Sequence, residues 1–280
     1  MEVVDPAGSR KSVVCRGEQR VTRNQLATTA TAPRSIRGFD FVFFDCDSTL
    51  STIEGIDELA RFKGQFGFVS TLTNSAMAGE VPLEAVYRRR LEILAPTPEE
   101  VAGLATQYRL NVVADARDVI GALQHAGKEV FIISGGLSGA VRPFGTWLGV
   151  PVDHIRAVDI ALAGPEPALL ATSDGKRVVV KEMLGDRLGR SMLVGDGASD
   201  LAAREVVDLF VGFTGVVEHP RVVAAADALI TGDSLAPVLG LALTESEEIA
   251  LSATVFGRVV EESRTRIEAG EVTVRRGEMP

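Results

Sequence analysis

Side chains that can carry out chemistry directly follow three short apolar runs of the sequence. The first and third runs are each followed by two carboxylates, and the second ends in a hydroxyl: Asp45 and Asp47, Asp196 and Asp200, and Ser134. Carboxylates that converge in one crevice repel one another unless a cation is present, and Asp oxygens suit Mg²⁺. Mg²⁺ held in this way keeps positions open for phosphate oxygens, which a serine and the N–H groups of a glycine-rich helix start can bind. These residues therefore predict a site for phosphoryl transfer with Mg²⁺.

The same apolar runs predict the elements that position these side chains. They are the first three of five apolar runs, which have helix-like segments between them. The five runs are 39–44, 129–134, 191–196, 208–213 and 227–230. Continuous Val, Ile, Leu and Phe are typical of strands buried on both faces, and helices between such strands make right-handed parallel crossovers. We therefore predict an α/β fold with a doubly wound, Rossmann-like parallel sheet as its core. In such sheets the ligand binds beyond the carboxyl ends of the strands, where the carboxylates stand.

The long segment between the first two runs predicts a small helical cap domain inserted into the core. Thr97, Pro98 and Glu100 have the types and spacing of a capping box with proline at the first helical position. Upstream, apolar residues keep a helical stripe through 83–94. The N-terminal residues scatter Ser, Thr and Arg without periodicity and are expected to be disordered. The chain then divides into this extension, a core in two parts, the cap, and a C-terminal helix with a tail: 1–38, 39–51 with 113–240, 52–112, and 241–280.

Composition and charge disfavour several classes of function. The 29 Lys and Arg against 38 Asp and Glu give a net charge of -9, which opposes general binding to nucleic acid or to an anionic membrane. No apolar window has the length that a membrane span needs. Cys15 and Cys46 stand in unrelated contexts, so neither a disulfide framework nor a cysteine-based zinc site is indicated. We expect a cytoplasmic protein that acts on a small molecule. Whether it forms a homodimer is left open by the sequence.

The motifs at the strand ends resemble those of the haloacid dehalogenase superfamily of phosphotransferases. DCDST at 45–49 is similar to its D-x-D-x-T signature, FIISGG at 131–136 to its second motif, and VGDGASD at 194–200 to its fourth. EGIDELA at 54–60 and SAMAGEVPLEAVYRRRL at 75–91 resemble the phosphoserine phosphatase family of that superfamily. The ordered set is a far more specific signal than D-x-D alone. It implies a Mg²⁺-dependent phosphatase that hydrolyses O-phospho-L-serine to L-serine and phosphate, the last step of serine biosynthesis.

The resemblance implies roles for the matching carboxylates. Asp45 would attack phosphorus to form an aspartyl-phosphate, which divides one difficult displacement into two easier ones. Asp47 would be the general acid to the leaving serine oxygen and then the general base to the hydrolytic water. The implied ligands of Mg²⁺ are Asp45, the backbone carbonyl of Asp47 and Asp196, with Thr49 and Asp200 supporting them.

The resemblance also implies which residues bind the substrate. Glu54 would bind the ammonium and Arg90 the carboxylate of the amino acid, since a guanidinium binds a planar carboxylate through two hydrogen bonds. The remaining residues would bind the phosphoryl group or close over the amino-acid end of the substrate: Met77, Ser134, Gly135, Lys176 and Ser199. Lys176 follows Gly175 at a helix start, as in the family's third motif, and Lys181 is the alternative for neutralising phosphate.

Two residues depart from the family pattern. Ala78 stands where the family commonly has glycine, and His219 stands where it commonly has arginine. These departures keep a second hypothesis open, a phosphotransferase or a phosphatase for another small phosphomonoester. A non-catalytic sensor of a phosphorylated ligand is the third hypothesis, and the intact Asp45, Asp47 and Asp196 argue against it.

Overall fold

A seven-stranded sheet forms the centre of the structure, with the strand order β3-β2-β1-β4-β5-β6-β7. The computed structural model describes residues 37–78, 80–159 and 168–275. The strands are β1 Phe41–Phe44, β2 Glu129–Leu137, β3 Ile155–Val158, β4 Ser191–Gly195, β5 Leu209–Phe213, β6 Ala228–Ile230 and β7 Val272–Val274. Neighbours from β3 to β6 pair in parallel, and β7 joins β6 in the antiparallel direction. The predicted α/β fold is confirmed, and each predicted apolar run contributes one of its strands.

β1 lies between β2 and β4, which fixes where the three strands end. Phe44, the last residue of β1, is paired with Ile132 of β2 and with Val194 of β4. The chain segments that follow these residues therefore meet at one edge of the sheet. All residues of β1 are buried and alternate between apolar clusters on the two faces of the sheet, which explains why this run shows no polar alternation.

Among the described residues, four helices lie between β1 and the crossover helix α5 Ala116–His125, which alone would suffice to join β1 to β2. They are α1 Gly55–Phe62, α2 Phe66–Met77, α3 Leu83–Leu94 and α4 Pro98–Leu110. The capping box predicted for α4 is present, because Thr97 Oγ1 accepts from N of Glu100 and Glu100 Oε2 accepts from N of Thr97. An isolated antiparallel bridge between Ser51 and Val112 ties together the two ends of this helical segment.

The remaining α-helices of the described residues follow β2. They are α6 Ser138–Leu148, α7 Gly175–Leu184, α8 Ala198–Ala202, α9 Pro220–Ala225, α10 Pro237–Ala242, α11 Glu245–Ser252 and α12 Gly257–Glu268. α5 is the crossover helix expected before β2, and it buries Val119, Ile120 and Leu123. Gly127 after it has a φ of 79°, a conformation that favours glycine. No helix in the described part of the chain has the length and apolar character needed to cross a membrane.

The C-terminal segment differs from the single helix expected there. The chain forms α11 and α12 with a tight turn between them, and then adds β7 to the edge of the sheet. In the turn, Thr254 Oγ1 donates to Leu251 O at 2.7 Å and accepts from N of Phe256 at 3.1 Å. A Cβ at Gly257 would lie 2.5 Å from Ser252 O, so this turn also needs a glycine. Local hydrogen bonds of a threonine side chain thus compete with continuation of the helix.

Of the N-terminal extension expected at 1–38, only Arg37 and Gly38 fall within the described residues. Arg37 forms an ion pair with Glu248 of α11, and its Nε donates to Gly240 O at 2.9 Å. These contacts join the segment before β1 to the C-terminal helices.

Candidate active site

Asp45 follows β1 directly and is buried at the carboxyl edge of the sheet. Its Oδ1 accepts from the backbone N of Cys46 at 2.7 Å and lies 2.7 Å from Nζ of Lys176. Burial, reinforced by the negative charge of Asp200, raises the pKa of Asp45 to about 8, and Lys176 opposes this shift. The ionised form of Asp45, which a nucleophile requires, therefore depends on nearby positive charge.

Lys176 supplies positive charge next to Asp45. It lies in the first turn of α7, and its Nζ is 2.7 Å from both Asp45 Oδ1 and Asp200 Oδ1. Burial disfavours the ammonium, but Asp200 and Asp45 outweigh burial and raise the pKa of Lys176 above its usual range. Lys181 is exposed on the same helix. The structure therefore brings Lys176, and not the alternative lysine, to the carboxylates.

A group of carboxylates beside Asp45 fits a divalent cation. Asp45, Asp196 and Asp200 each place one oxygen within 4.8 Å of the others. Asp196 Oδ1 accepts from Thr49 Oγ1 at 3.2 Å, and burial raises the pKa of Asp196. Its Oδ2 is buried without a hydrogen-bond partner among the described residues, and His219 Nε2 lies 3.5 Å away outside hydrogen-bonding geometry. Clustered hard oxygen donors with an unsatisfied buried acceptor suit a metal ion.

Asp47 turns away from this cluster toward α1 and α4. Its Oδ1 accepts two hydrogen bonds of 2.7 Å, from N of Gly55 and from Oη of Tyr108. Its Oδ2 accepts a long bond of 3.5 Å from Oγ of Ser134. Burial raises the pKa of Asp47, and the bonds from Tyr108 and Gly55 oppose this shift. Asp47 therefore retains a proton more readily than an exposed carboxyl, as a general acid must. Metal binding by its backbone carbonyl stays a prediction.

The segment 134–136 at the end of β2 lies beside Asp47. Ser134 is buried, and its Oγ accepts from N of Gly136 at 2.9 Å. A Cβ at Gly136 would lie 3.0 Å from both Asp47 Oδ2 and Ser134 Oγ. The glycine thus keeps open a space that is lined by a hydroxyl and backbone groups, which suits phosphate oxygens.

One cavity joins the strand ends to the helices between β1 and β2. Side chains of α1, α3 and α4 line one side of it, and residues at the ends of β1 and β2 and the starts of α7 and α8 line the other. Its polar lining consists of Asp45, Asp47, Glu54, Tyr87, Arg90, Tyr108, Lys176 and Ser199. A small molecule in this cavity therefore contacts both the helical segment and the sheet.

Glu54 presents a carboxyl group and Arg90 a guanidinium to this cavity. Glu54 Oε1 accepts from Oγ of Ser48 at 2.7 Å, and burial together with the negative charge of Asp47 raises the pKa of Glu54. Arg90 is 4% exposed, and its Nη1 donates to Oγ1 of Thr73 at 3.2 Å. Burial lowers the pKa of Arg90, and its Nε is buried without a hydrogen-bond partner among the described residues. A buried guanidinium with an unused donor indicates an anionic ligand.

Two further residues named from the sequence lie at the end of α2 and directly after it. Met77 ends α2, and its side chain lies outside the described part of the structure. Ala78 follows with φ of -69° and ψ of -10°. Any residue adopts this conformation, so the backbone itself does not require the family's glycine here.

Two cavity residues, Tyr87 and Tyr108, are not among the site residues predicted from the sequence. Tyr87 Oη donates to Gly135 O at 3.1 Å. Tyr108 lies on the buried face of α4 with Leu104, a spacing that is typical of ordinary core packing. Its hydroxyl contact with Asp47 depends on how α4 packs against the end of β1, which spacing along one helix does not reveal.

Comparisons with known proteins show the family to which this chain belongs. The family model for haloacid dehalogenase-like hydrolases matches residues 42–205. Phosphoserine phosphatase of Bos taurus is 35% identical over 201 residues, which is 69% of this chain and 89% of that protein. A phospho-aspartyl intermediate analogue of phosphoserine phosphatase has a TM-score of 0.64 at 26% identity, covering 73% of this chain and 99% of its own. A substrate-bound phosphoserine phosphatase complex has a TM-score of 0.64 at 25% identity, covering 73% and 98%. The chain therefore belongs to the haloacid dehalogenase-like hydrolase family.

Proposed function

We propose that this chain is a phosphoserine phosphatase, which uses Mg²⁺ to hydrolyse O-phospho-L-serine to L-serine and phosphate in serine biosynthesis. The observation that carries the proposal is the shared cavity, in which Glu54 and Arg90 line the same space as Asp45 and Lys176. Phosphoserine matches this lining because it has an ammonium, a carboxylate and a phosphate. The relatives named above support the same substrate, since both their sequences and their folds resemble this chain.

Asp45 is the nucleophile in this proposal. One of its carboxylate oxygens attacks phosphorus, and the bond between phosphorus and the serine oxygen breaks as the aspartyl-phosphate forms. The ammonium of Lys176, 2.7 Å from Asp45, offsets negative charge on the carboxylate and on the phosphoryl oxygens. Mg²⁺, when bound, would add positive charge at the same oxygens. Its proposed ligands are Asp45, the backbone carbonyl of Asp47 and Asp196, with Thr49 and Asp200 beside them.

Asp47 moves the protons. In the first step it gives its proton to the departing serine oxygen, which leaves as the hydroxyl of L-serine. In the second step the resulting carboxylate takes a proton from the water that attacks the aspartyl-phosphate. The bond between phosphorus and Asp45 breaks, and phosphate leaves. Asp45 is then a free carboxylate and Asp47 is protonated, as at the start. The raised pKa of Asp47 suits this exchange, because neither protonation state is too stable.

The substrate is held at both ends. Arg90 binds the carboxylate with donors that include its Nε, which has no hydrogen-bond partner in the described part of the chain, and Glu54 binds the ammonium. The phosphoryl group lies against Ser134 and Gly135, whose segment ends β2. The other proposed contacts are Lys176 and Ser199 with the phosphoryl group and Met77 with the amino-acid end.

Phosphate release from O-phospho-L-serine, measured with MgCl₂ and again with EDTA, tests this proposal. Two analogues serve as matched substrates, O-phosphoethanolamine without the carboxylate and phospholactate without the ammonium. Because a buried charged group left unpaired opposes binding, we expect kcat/KM for phosphoserine to exceed that for either analogue by about 100-fold or more. Equal kcat/KM for all three substrates, or no phosphate release from phosphoserine, would rule out the proposal.

A further inference from the structure

The chain has only two tyrosines, and both line the cavity. Their hydroxyl groups contact different atoms. Tyr87 Oη donates to the backbone carbonyl of Gly135 at 3.1 Å, whereas Tyr108 Oη donates to Oδ1 of Asp47 at 2.7 Å. Only the second contact reaches a side chain that the proposed reaction uses, so the two tyrosines form a natural pair of test and control.

The two oxygens of Asp47 have different surroundings. Oδ1 accepts from the N–H of Gly55 and the hydroxyl of Tyr108, each at 2.7 Å. The N–H group can only donate, so Oδ1 is an acceptor oxygen and a proton on this carboxyl belongs on Oδ2. From the residues that the structure describes, Oδ2 accepts one long bond of 3.5 Å, which Ser134 donates. It lies 3.0 Å from where a Cβ at Gly136 would be, on the side of the segment proposed to hold the phosphoryl group.

The position of the Tyr108 hydroxyl is fixed by its own packing. Tyr108 is fully buried, and its ring stacks on Phe144 with a centroid separation of 5.3 Å. A Cβ at residue 55 would lie 2.1 Å from Tyr108 Oη, so the hydroxyl reaches Asp47 only because Gly55 has no side chain. The substitution Tyr108→Phe would remove the hydroxyl but keep an aromatic ring that stacks on Phe144.

We propose that Tyr108 is a positioning residue for Asp47, whose hydroxyl holds Oδ1 so that Oδ2 faces the leaving oxygen of the substrate. This inference rests on the proposed function and adds to it the residue that orients the proton donor. In the first step Asp45 forms its bond to phosphorus, the bond from phosphorus to the leaving oxygen breaks, and that oxygen takes the proton from Oδ2. A leaving group that is already a stable anion needs no such proton. The contribution of Tyr108 therefore depends on the leaving group.

The test compares Tyr108→Phe with Tyr87→Phe on two substrates. The serine oxygen of phosphoserine leaves as a strongly basic alkoxide unless it is protonated, whereas acetyl phosphate expels the weakly basic acetate. General acid catalysis contributes about 100- to 10,000-fold. We therefore expect Tyr108→Phe to lower kcat/KM for phosphoserine by about 10- to 100-fold and for acetyl phosphate by less than about threefold. KM for phosphoserine should stay within about twofold, because Asp47 does not hold the amino-acid end. Tyr87→Phe should change both substrates by the same factor.

A double-mutant cycle gives a second readout with phosphoserine alone. If Tyr108 acts through Asp47, Tyr108→Phe should cause no further loss in the Asp47→Asn background. Thermal melts of each variant, compared with the unmodified protein, report whether the fold is intact. An equal loss of kcat/KM on both substrates, or the same factor of loss with and without Asp47→Asn, would overturn the inference. Failure of the unmodified protein to hydrolyse phosphoserine would instead overturn the proposed function.

Discussion

The charged side chains of the cavity are buried, and buried charged groups need ion-pair or hydrogen-bond partners. Asp45, Lys176 and Asp200 form one connected group of ion pairs. Arg90 Nε and Asp196 Oδ2 have no hydrogen-bond partner among the described residues. A buried polar atom without a partner costs on the order of 1–3 kcal/mol of folding free energy. Such atoms at one site indicate that a ligand completes it, and the proposed ligands are the substrate and the cation.

Replacing Arg90 with alanine tests its role against that of Arg89 on the same helix. Arg90 is 4% exposed and lines the cavity, whereas the Arg89 side chain is 62% exposed. A hydrogen bond to a charged group contributes about 1.5–3 kcal/mol, so we expect Arg90→Ala to raise KM for phosphoserine by about 10- to 100-fold. For O-phosphoethanolamine, which lacks the carboxylate, kcat/KM should change by less than about threefold. Arg89→Ala should leave both unchanged, and an equal loss on both substrates in Arg90→Ala would contradict the carboxylate assignment.

Part of the candidate site could be predicted from the sequence, because its carboxylates directly follow apolar runs. Spacing along the chain left Lys176 and Lys181 as alternatives, and their burial in the fold is what separates them. The contact of Tyr108 with Asp47 could not be predicted, because it joins residues far apart in the sequence through the packing of α4. Roles in catalysis stay predictions until activity is measured.

The central strands could be predicted because both of their faces are buried. β1 and β4 are buried throughout and appear in the sequence as continuous apolar runs. β3 and β7 lie at the two edges of the sheet and are partly exposed, so their short segments IRAV and VTV show no such run. The break between α11 and α12 was missed for a different reason. It depends on the hydrogen bonds of Thr254 rather than on hydrophobic periodicity.

The N-cap of α4 offers a stability test at one helix. Thr97 Oγ1 accepts from N of Glu100 in the capping box, whereas Thr106 is exposed in the middle of the same helix. We expect Thr97→Ala to lower the free energy of unfolding by about 1 kcal/mol, because a backbone donor loses its partner. Thr106→Ala should leave it unchanged or raise it by up to about 0.5 kcal/mol, since alanine has the higher helix propensity. Chemical denaturation measures both, and equal losses would show that the cap contributes nothing.

For the molecule as a whole, the site is assembled from two parts of the chain that the sheet keeps together. The bridge between Ser51 and Val112 joins the two ends of the segment that contains α1 to α4, so its cavity side chains stay next to the strand ends. The net charge of -9 does not favour binding of an anionic substrate. The positive charges that attract the substrate are therefore expected to be those of Lys176 and Arg90. The cytoplasmic location and the homodimer stay predictions.

The stability of the whole protein should depend on pH in a way that a divalent cation changes. Burial raises the pKa of Asp45 from its usual 3.8 to about 8, so between these values the folded state binds more protons than the unfolded state. Stability of the metal-free protein should therefore fall as pH rises through this window. Stabilisation by Mg²⁺ should grow over the same window, because the cation binds deprotonated carboxylates.

Thermal melts in EDTA and in saturating MgCl₂, from pH 5 to pH 8 across the window defined by Asp45, measure this dependence. The gap between the two melting temperatures should widen steadily with pH, and Asp45→Asn should reduce the widening. A gap that stays constant or narrows as pH rises would contradict the assignment of these carboxylates to a metal site.

Capture of the phosphorylated enzyme tests the central claim most directly. Turnover of O-phospho-L-serine with MgCl₂ is stopped in acid at short times, the protein is digested, and the peptides are analysed by mass spectrometry. We expect one phosphoryl group on Asp45, sensitive to hydroxylamine as an acyl phosphate is, and neither the adduct nor phosphate release in Asp45→Asn. Phosphoserine turnover that continues in Asp45→Asn, or a phosphoryl group found on Ser134 or Ser199 instead, would contradict the account.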